Sequence, residues 1–266
     1  MTQPLPSDET SHRSDAYPVH VGASPPQPVS SAVHADPNGV PFNIGAAFTW
    51  ALSKFSSNAV GLVGGAVVHT LLQAVGPAVA IGGAFALSQR TTTIGRAGVE
   101  VVEVSLTPGS IVAIVLGVLV ALALLAYSLS AYIGGVVDIA NGALTSIGSF
   151  FTPRRYGSVV AATLILLVAV AIGSIVIVGG VIVVFLFWFT IPIIVDRGVG
   201  PLVAMKASAA LVRANLGESL VTALLLGMVW IVGNSVCGLF IIVTGPIVTL
   251  IALFALRRLA DETIAP

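Results

Sequence analysis

Charge is the scarcest property of this 266-residue chain, in which only 8% of residues are Asp, Glu, Lys or Arg. A soluble domain carries roughly a quarter, because its surface must be solvated. A water-facing globule is therefore excluded, and lipid is the solvent the composition fits. Cysteine is nearly absent as well. Cys237 is the only one, which rules out an intrachain disulfide, a cysteine metal knuckle and a redox pair. Eleven basic residues balance eleven acidic ones, so no bulk field would draw in nucleic acid. Residues 1–40 lack the basic start and apolar centre of a secretory signal, and an internal membrane helix is expected to direct insertion.

What the chain has in abundance is apolar surface: 56% of residues are hydrophobic and the mean hydropathy is +1.05. It is unevenly spread. Residues 1–41 hold eight of the fifteen prolines, together with many Ser, Asp and His residues. Such a segment cannot bury enough apolar area to offset its ordering entropy, and a disordered tail is expected there. His12, His20 and His34 lie in it without metal-ligand spacing. Residues 42–258 form the membrane domain, and 259–266 a short second tail.

Within the membrane domain, charges cluster between long apolar runs. The first run is Asn58 to Leu87, with Gly76-Pro77 as an expected kink or break. The second is Ser110 to Ile133. Two further runs, Tyr156 to Val195 and Ser219 to Leu256, contain no charged residue at all. A single helix over either would extend about 57–60 Å at ~1.5 Å per residue. The hydrocarbon core is only about 30 Å thick, so each run must double back as a hairpin. Gly179-Gly180 is the expected turn in one, and Gly245-Pro246 or the Cys237-Gly238 region in the other. The total is six spans. Both termini fall on one side, where eight basic residues gather: Lys54, Arg154, Arg155, Arg197, Lys206, Arg213, Arg257 and Arg258. The other side has Arg90 and Arg96 beside Glu100 and Glu103. The positive-inside rule then predicts a multi-pass protein of a bacterial plasma membrane with cytoplasmic termini.

The connectors on the basic side resemble one another. VVDIANG and IVDRGVG both read V-D-x-x-x-G, matching Asp138 and Gly142 with Asp196 and Gly200. Beyond them, apolar residues recur with helical spacing: Leu202, Met205, Ala209, Val212 and Leu216 in one, and Leu144, Ile147 and Phe151 in the other. Phe48, Leu52 and Phe55 repeat the pattern before the first span. The expected architecture is all-α: six transmembrane helices as three hairpins, each preceded by a short interfacial amphipathic helix.

The motifs AFTWALSKFSSNAVGLV, VVDIANGA and PIIVDRGVGPLVAMKASAALVRANLG resemble a broad group of bacterial six-helix membrane proteins. Related sequences form the membrane domain attached to some glycerophosphodiester phosphodiesterases, and the Pro-rich leader resembles proline- and glycine-rich transmembrane proteins of actinobacteria. The resemblance covers roughly residues 42 to 258. It implies a helical membrane fold with no assigned activity.

Few residues offer chemistry. His69 is the one histidine in a membrane run, with Gln73 one turn on; it suits a proton relay or ligand contact, or a neutral ring bonded to a neighbouring helix. GNSVCG, Gly233 to Gly238, invites comparison with intramembrane serine proteases, yet Val236 stands where a second glycine is needed and His69 would be the only base. Asn234 is a further polar handle in that run. Asp138 and Asp196 recur at helix ends, as caps or as partners of a basic residue such as Arg197 or Arg213. Arg154, Arg155, Lys206 and Arg213 suit anionic lipid headgroups as well as they suit topology. Gly61 and Gly65 form a Gly-x-x-x-Gly for close helix packing within the chain or across a homo-oligomer. No catalytic, cofactor or metal-ligand motif is present. The expected function is a non-enzymatic membrane scaffold or envelope-associated interaction protein with a protein partner. The alternatives are a small transporter or lipid translocator and, more remotely, an intramembrane hydrolase.

Overall fold

The computed structural model describes residues 43–94, 100–235 and 240–266. All of them fall in one of the two units into which the chain divides, that beginning at Ser31. The Pro-rich segment 1–41 with its three histidines, Arg96 and the Cys237-Gly238 pair lie outside the described residues.

The first element, α1 (Ile44–Leu87), begins where the Asn43 side chain accepts the Gly45 N–H at 2.8 Å. It is two helices in one. Asn58 leaves helical geometry (φ −123°, ψ 18°) and divides an interfacial segment from the first membrane helix. Its side chain explains the break, since asparagine competes for backbone groups. Nδ2 donates to the Lys54 carbonyl at 3.1 Å, and Oδ1 accepts from the Thr145 backbone at 3.1 Å. The expected break at Gly76-Pro77 does not occur. The helix runs through both residues, as membrane helices can when neighbours satisfy the freed groups.

A β-hairpin follows, β1 (Gln89–Ile94) paired antiparallel with β2 (Glu100–Ser105), from Gln89↔Ser105 to Ile94↔Glu100. Only a loop is expected there from the sequence. Thr91 to Thr93 and the valines of EVVEVS are the β-branched signal for it. Then α2 (Pro108–Ala140) starts from a reciprocal Thr107–Ser110 cap with proline at its first position.

α1 and α2 form the central hairpin, and small residues set their spacing. A Cβ on Gly76 would lie 2.5 Å from the Ala121 Cβ, and one on Gly83 2.7 Å from the Ala113 Cβ. Gly61 and Gly65, the Gly-x-x-x-Gly, serve a different contact. They receive Phe150 of the connector that follows α2, whose ring also lies on Gly135. That connector folds back between α1 and α2. Its short 3-10 helix (Ile147–Phe151) carries Phe150, which is fully buried, and Ser130 Oγ holds the Arg154 carbonyl at 2.6 Å.

α3 (Tyr156–Gly173) and α4 (Ile177–Phe187) make the second hairpin. Its turn is Ser174 to Val176, not Gly179-Gly180. Those glycines open α4 and let it pass close to α3, since a Cβ on Gly179 would meet the Gly173 carbonyl oxygen at 2.5 Å. The span from Val178 to Arg197 is broken in two, with α5 (Thr190–Arg197) after a turn at Trp188-Phe189. Pro192 is the cause: it has no N–H for the Trp188 carbonyl and its ring crowds that group. Ser208 Oγ donates to the nearby Leu186 carbonyl at 2.8 Å.

Ser208 belongs to α6 (Pro201–Ala214), the interfacial helix of the third unit. Its packed face is Ala204, Ser208, Leu211 and Val212, while Leu202 and Leu216 of the expected apolar stripe stay exposed. The last hairpin is α7 (Leu216–Asn234) and α8 (Ile241–Leu259). Gly245 and Pro246 lie inside α8, so the turn precedes them. Among the described residues six spans are long and apolar enough to cross a membrane. The interfacial segments differ in form: the start of α1, a five-residue 3-10 helix, and α6.

Candidate functional site

Ionisable groups gather at one end of the bundle, where α2 ends, α5 ends and α8 ends. Arg154 Nη2 bonds both carboxylate oxygens of Asp138 at 2.8 Å. Arg257 forks onto Asp196, Nη2 to Oδ1 at 2.8 Å and Nε to Oδ2 at 3.2 Å. Arg197 Nε meets Glu262 Oε1 at 3.0 Å. The two aspartates thus share one role, yet neither partner is Arg197 or Arg213. Spacing along the chain favours those two neighbours, whereas Arg257 comes from 61 residues away and only folding brings it in. The glycines of the two connectors also differ: Gly142 (φ 87°) follows α2, while Gly198 (φ 67°) and not Gly200 holds the left-handed position after α5.

The segment after α8 is strapped over these pairs. Ala265 N–H donates to the Ala140 carbonyl at 3.0 Å, Trp50 Nε1 to the Ala265 carbonyl at 2.8 Å, and Lys54 Nζ to the Pro266 carbonyl. Beneath the strap is a polar recess of about 300 Å³ lined by Asn141, Asp196, Arg197, Arg257, Glu262 and Thr263. The Asp196–Arg257 side chains are 8% and 7% exposed, so this pair is largely buried in the wall of the recess. Burial pushes the Glu262 carboxyl above its ordinary value, and Arg197 pulls it back only in part. A raised acid favours the folded state fully below its unfolded value, and that contribution is lost as pH rises through the raised one. Glu262→Gln is therefore expected to match the parent protein in acid and to melt at a higher temperature than it at neutral pH. Thermal unfolding in detergent across pH 3 to 8 (about the carboxylate range) checks this, and an unchanged difference across that range would contradict it.

The second polar group surrounds His69. Its Nε2 lies 2.8 Å from the Phe150 carbonyl, so it carries the proton. Nδ1, 3.0 Å from Ser128 Oγ, then accepts from that hydroxyl. Phe151 stacks on the ring at 4.9 Å, and Tyr132 meets it edge-on at 5.8 Å. His69 therefore clamps the folded-back connector between α1 and α2. Gln73 is half-exposed one turn away. Asn234 is exposed on α7 and bonds the Trp230 carbonyl of its own helix at 2.9 Å, as Ser235 Oγ bonds Ile231 at 2.7 Å. Both His69 nitrogens are engaged, so His69 is not free to serve Ser235 as a base. Of the four cations expected to meet lipid headgroups, Arg154 is taken by Asp138. Arg155 is exposed against Gly198, and Lys206 and Arg213 are exposed on α6. Among the described residues no three His, Cys, Asp or Glu side chains gather as a metal site.

Six apolar spans, a fold-back connector and an ion-paired end define a helical, multi-pass type of membrane protein. No family model matches the chain, and no solved structure does. Over 244 residues it is 32% identical to the uncharacterized protein Rv2560 of Mycobacterium tuberculosis, covering 88% of this chain and 73% of that one. The uncharacterized protein Mb2590 of Mycobacterium bovis matches to the same extent. The chain belongs to the family of these mycobacterial proteins.

Proposed function

We propose that the protein is a non-enzymatic scaffold of a bacterial plasma membrane, with its basic end in the cytoplasm and residues 1–41 as a docking arm for a protein partner. One observation carries this reading. Among the described residues, the ionisable side chains buried in the bundle are spent on structural bonds: His69 on Ser128 and Phe150, Asp196 and Arg257 on each other. Catalysis or proton-coupled transport needs such groups free and aimed at a substrate. The excess of basic residues on one side supports the orientation.

Affinity purification in mild detergent tests the reading. The full chain is expected to retain a partner that a chain lacking residues 1–40 loses, while Asn234→Ala, at an exposed position of α7, keeps it. The transport alternative has the broken α4–α5 span in its favour, because broken helices often flank a substrate site. A saturable solute flux in proteoliposomes, lost in a folded Thr190→Val variant, would replace the scaffold reading with that one.

A further inference from the structure

The second and third hairpins do not close on each other. Between them lies a cleft of about 690 Å³, walled by α3 and α4 on one side and by α7 on the other. Its lining is almost wholly apolar, with Val181, Val184, Phe185, Leu220 and Leu224 among it. All three helices belong to membrane spans, so what faces the cleft is the hydrocarbon of the bilayer.

One further feature bears on its occupant. Trp188, at the α4–α5 break, lines the cleft. The α6 helix crosses the same end of α4 through the Ser208–Leu186 bond and leads straight into α7. On its exposed side stand Lys206 and Arg213, two turns apart. Neither has an acidic partner within salt-bridge distance among the described residues. Glu218, exposed in the first turn of α7, is the one acid beside them in the chain and is outnumbered.

Apolar wall and cation pair follow the order of tail and headgroup in a phospholipid. We infer that the cleft holds an anionic phospholipid: an acyl chain between α4 and α7, beside Trp188, and the phosphate end at Lys206 and Arg213. This inference stands apart from the scaffold reading, since a resident lipid needs no protein partner.

The test uses the full chain with Trp50→Phe and Trp230→Phe, so that Trp188 alone reports. It is placed in phosphatidylcholine nanodiscs containing a minor share of lipid brominated on its acyl chain. Brominated phosphatidylglycerol is expected to quench Trp188 well beyond brominated phosphatidylcholine at equal share. Removing the cations with Lys206→Ala and Arg213→Ala is expected to cut that preference by about fivefold per cation. Ala223→Phe, which fills the cleft, should abolish quenching by both lipids, whereas Leu119→Phe on the exposed face of α2 should not. Equal quenching by the two lipids in the parent protein would overturn the anionic headgroup. Undiminished quenching in Ala223→Phe would overturn the cleft as the seat.

Discussion

Arg257→Leu is expected to destabilise the protein by about 3–5 kcal/mol, enough to lose the folded state in most detergents. The loss comes chiefly from the partner left behind. Asp196 is itself only 8% exposed, and without the guanidinium fork its carboxylate would be a buried charge stripped of its ion-pair partner. The strap would loosen too, since Arg257 also bonds the Thr263 carbonyl at 3.4 Å. Pairing the mutation with Asp196→Leu is expected to recover much of the loss, because a matched apolar pair carries no desolvation cost. Chemical or thermal unfolding of the two variants side by side decides the matter. If the double variant were as unstable as the single one, the pair would matter for shape rather than for charge. Asp138–Arg154 gives the contrast. Those side chains are about a third exposed, and breaking that pair is expected to cost at most about 1 kcal/mol.

The other large effect lies in the central hairpin. Gly117→Leu is expected to prevent α1 and α2 from closing, with a loss beyond the ~1–3 kcal/mol of ordinary overpacking. A Cβ at Gly117 would fall on the Ala80 backbone nitrogen, and one at Gly76 on the Ala121 nitrogen at 2.6 Å. Backbone cannot rotate away as a side chain can, so the two helices would have to part along their length. In lipid, association rests on such van der Waals packing, because no hydrophobic gain separates helix from lipid. Gly227→Ala is the control. Nothing lies within 4 Å of its added Cβ, and the variant should equal or exceed the parent by about 0.5–1 kcal/mol. Yield of monodisperse protein and its unfolding midpoint report both outcomes.

Six spans were legible from run length against bilayer thickness, and the structure contains them. The helical segments before the first and third hairpins were legible too, because a 3.6-residue period needs no partner to be read, but before the second the structure has a five-residue 3-10 helix folded back between α1 and α2. The start of α2 is set locally by Thr107 and Pro108, yet the apolar run marks it only from Ser110. Turns were misplaced where glycine had another use. Gly179 and Gly180 look like a turn in sequence, and they are instead a close contact with α3. The β1–β2 hairpin went unread because a few threonines and valines do not stand out in a chain rich in β-branched residues.

The candidate site divides in the same way. His69, Asp138 and Asp196 stand out in sequence because polar groups are costly in lipid and therefore rare in it. Their partners do not stand out. Phe150 reaches His69 from 81 residues away and Arg257 reaches Asp196 from 61, and no local period encodes either distance. The cleft was invisible for the same reason, being a property of how two hairpins fail to meet. The sequence by itself determined the solvent, the number of spans and the basic end, since hydropathy, length and charge each act one segment at a time. Tertiary structure alone decided which charges are matched, what the small residues pack against and where the bundle stays open, because those depend on contacts between segments far apart in the chain.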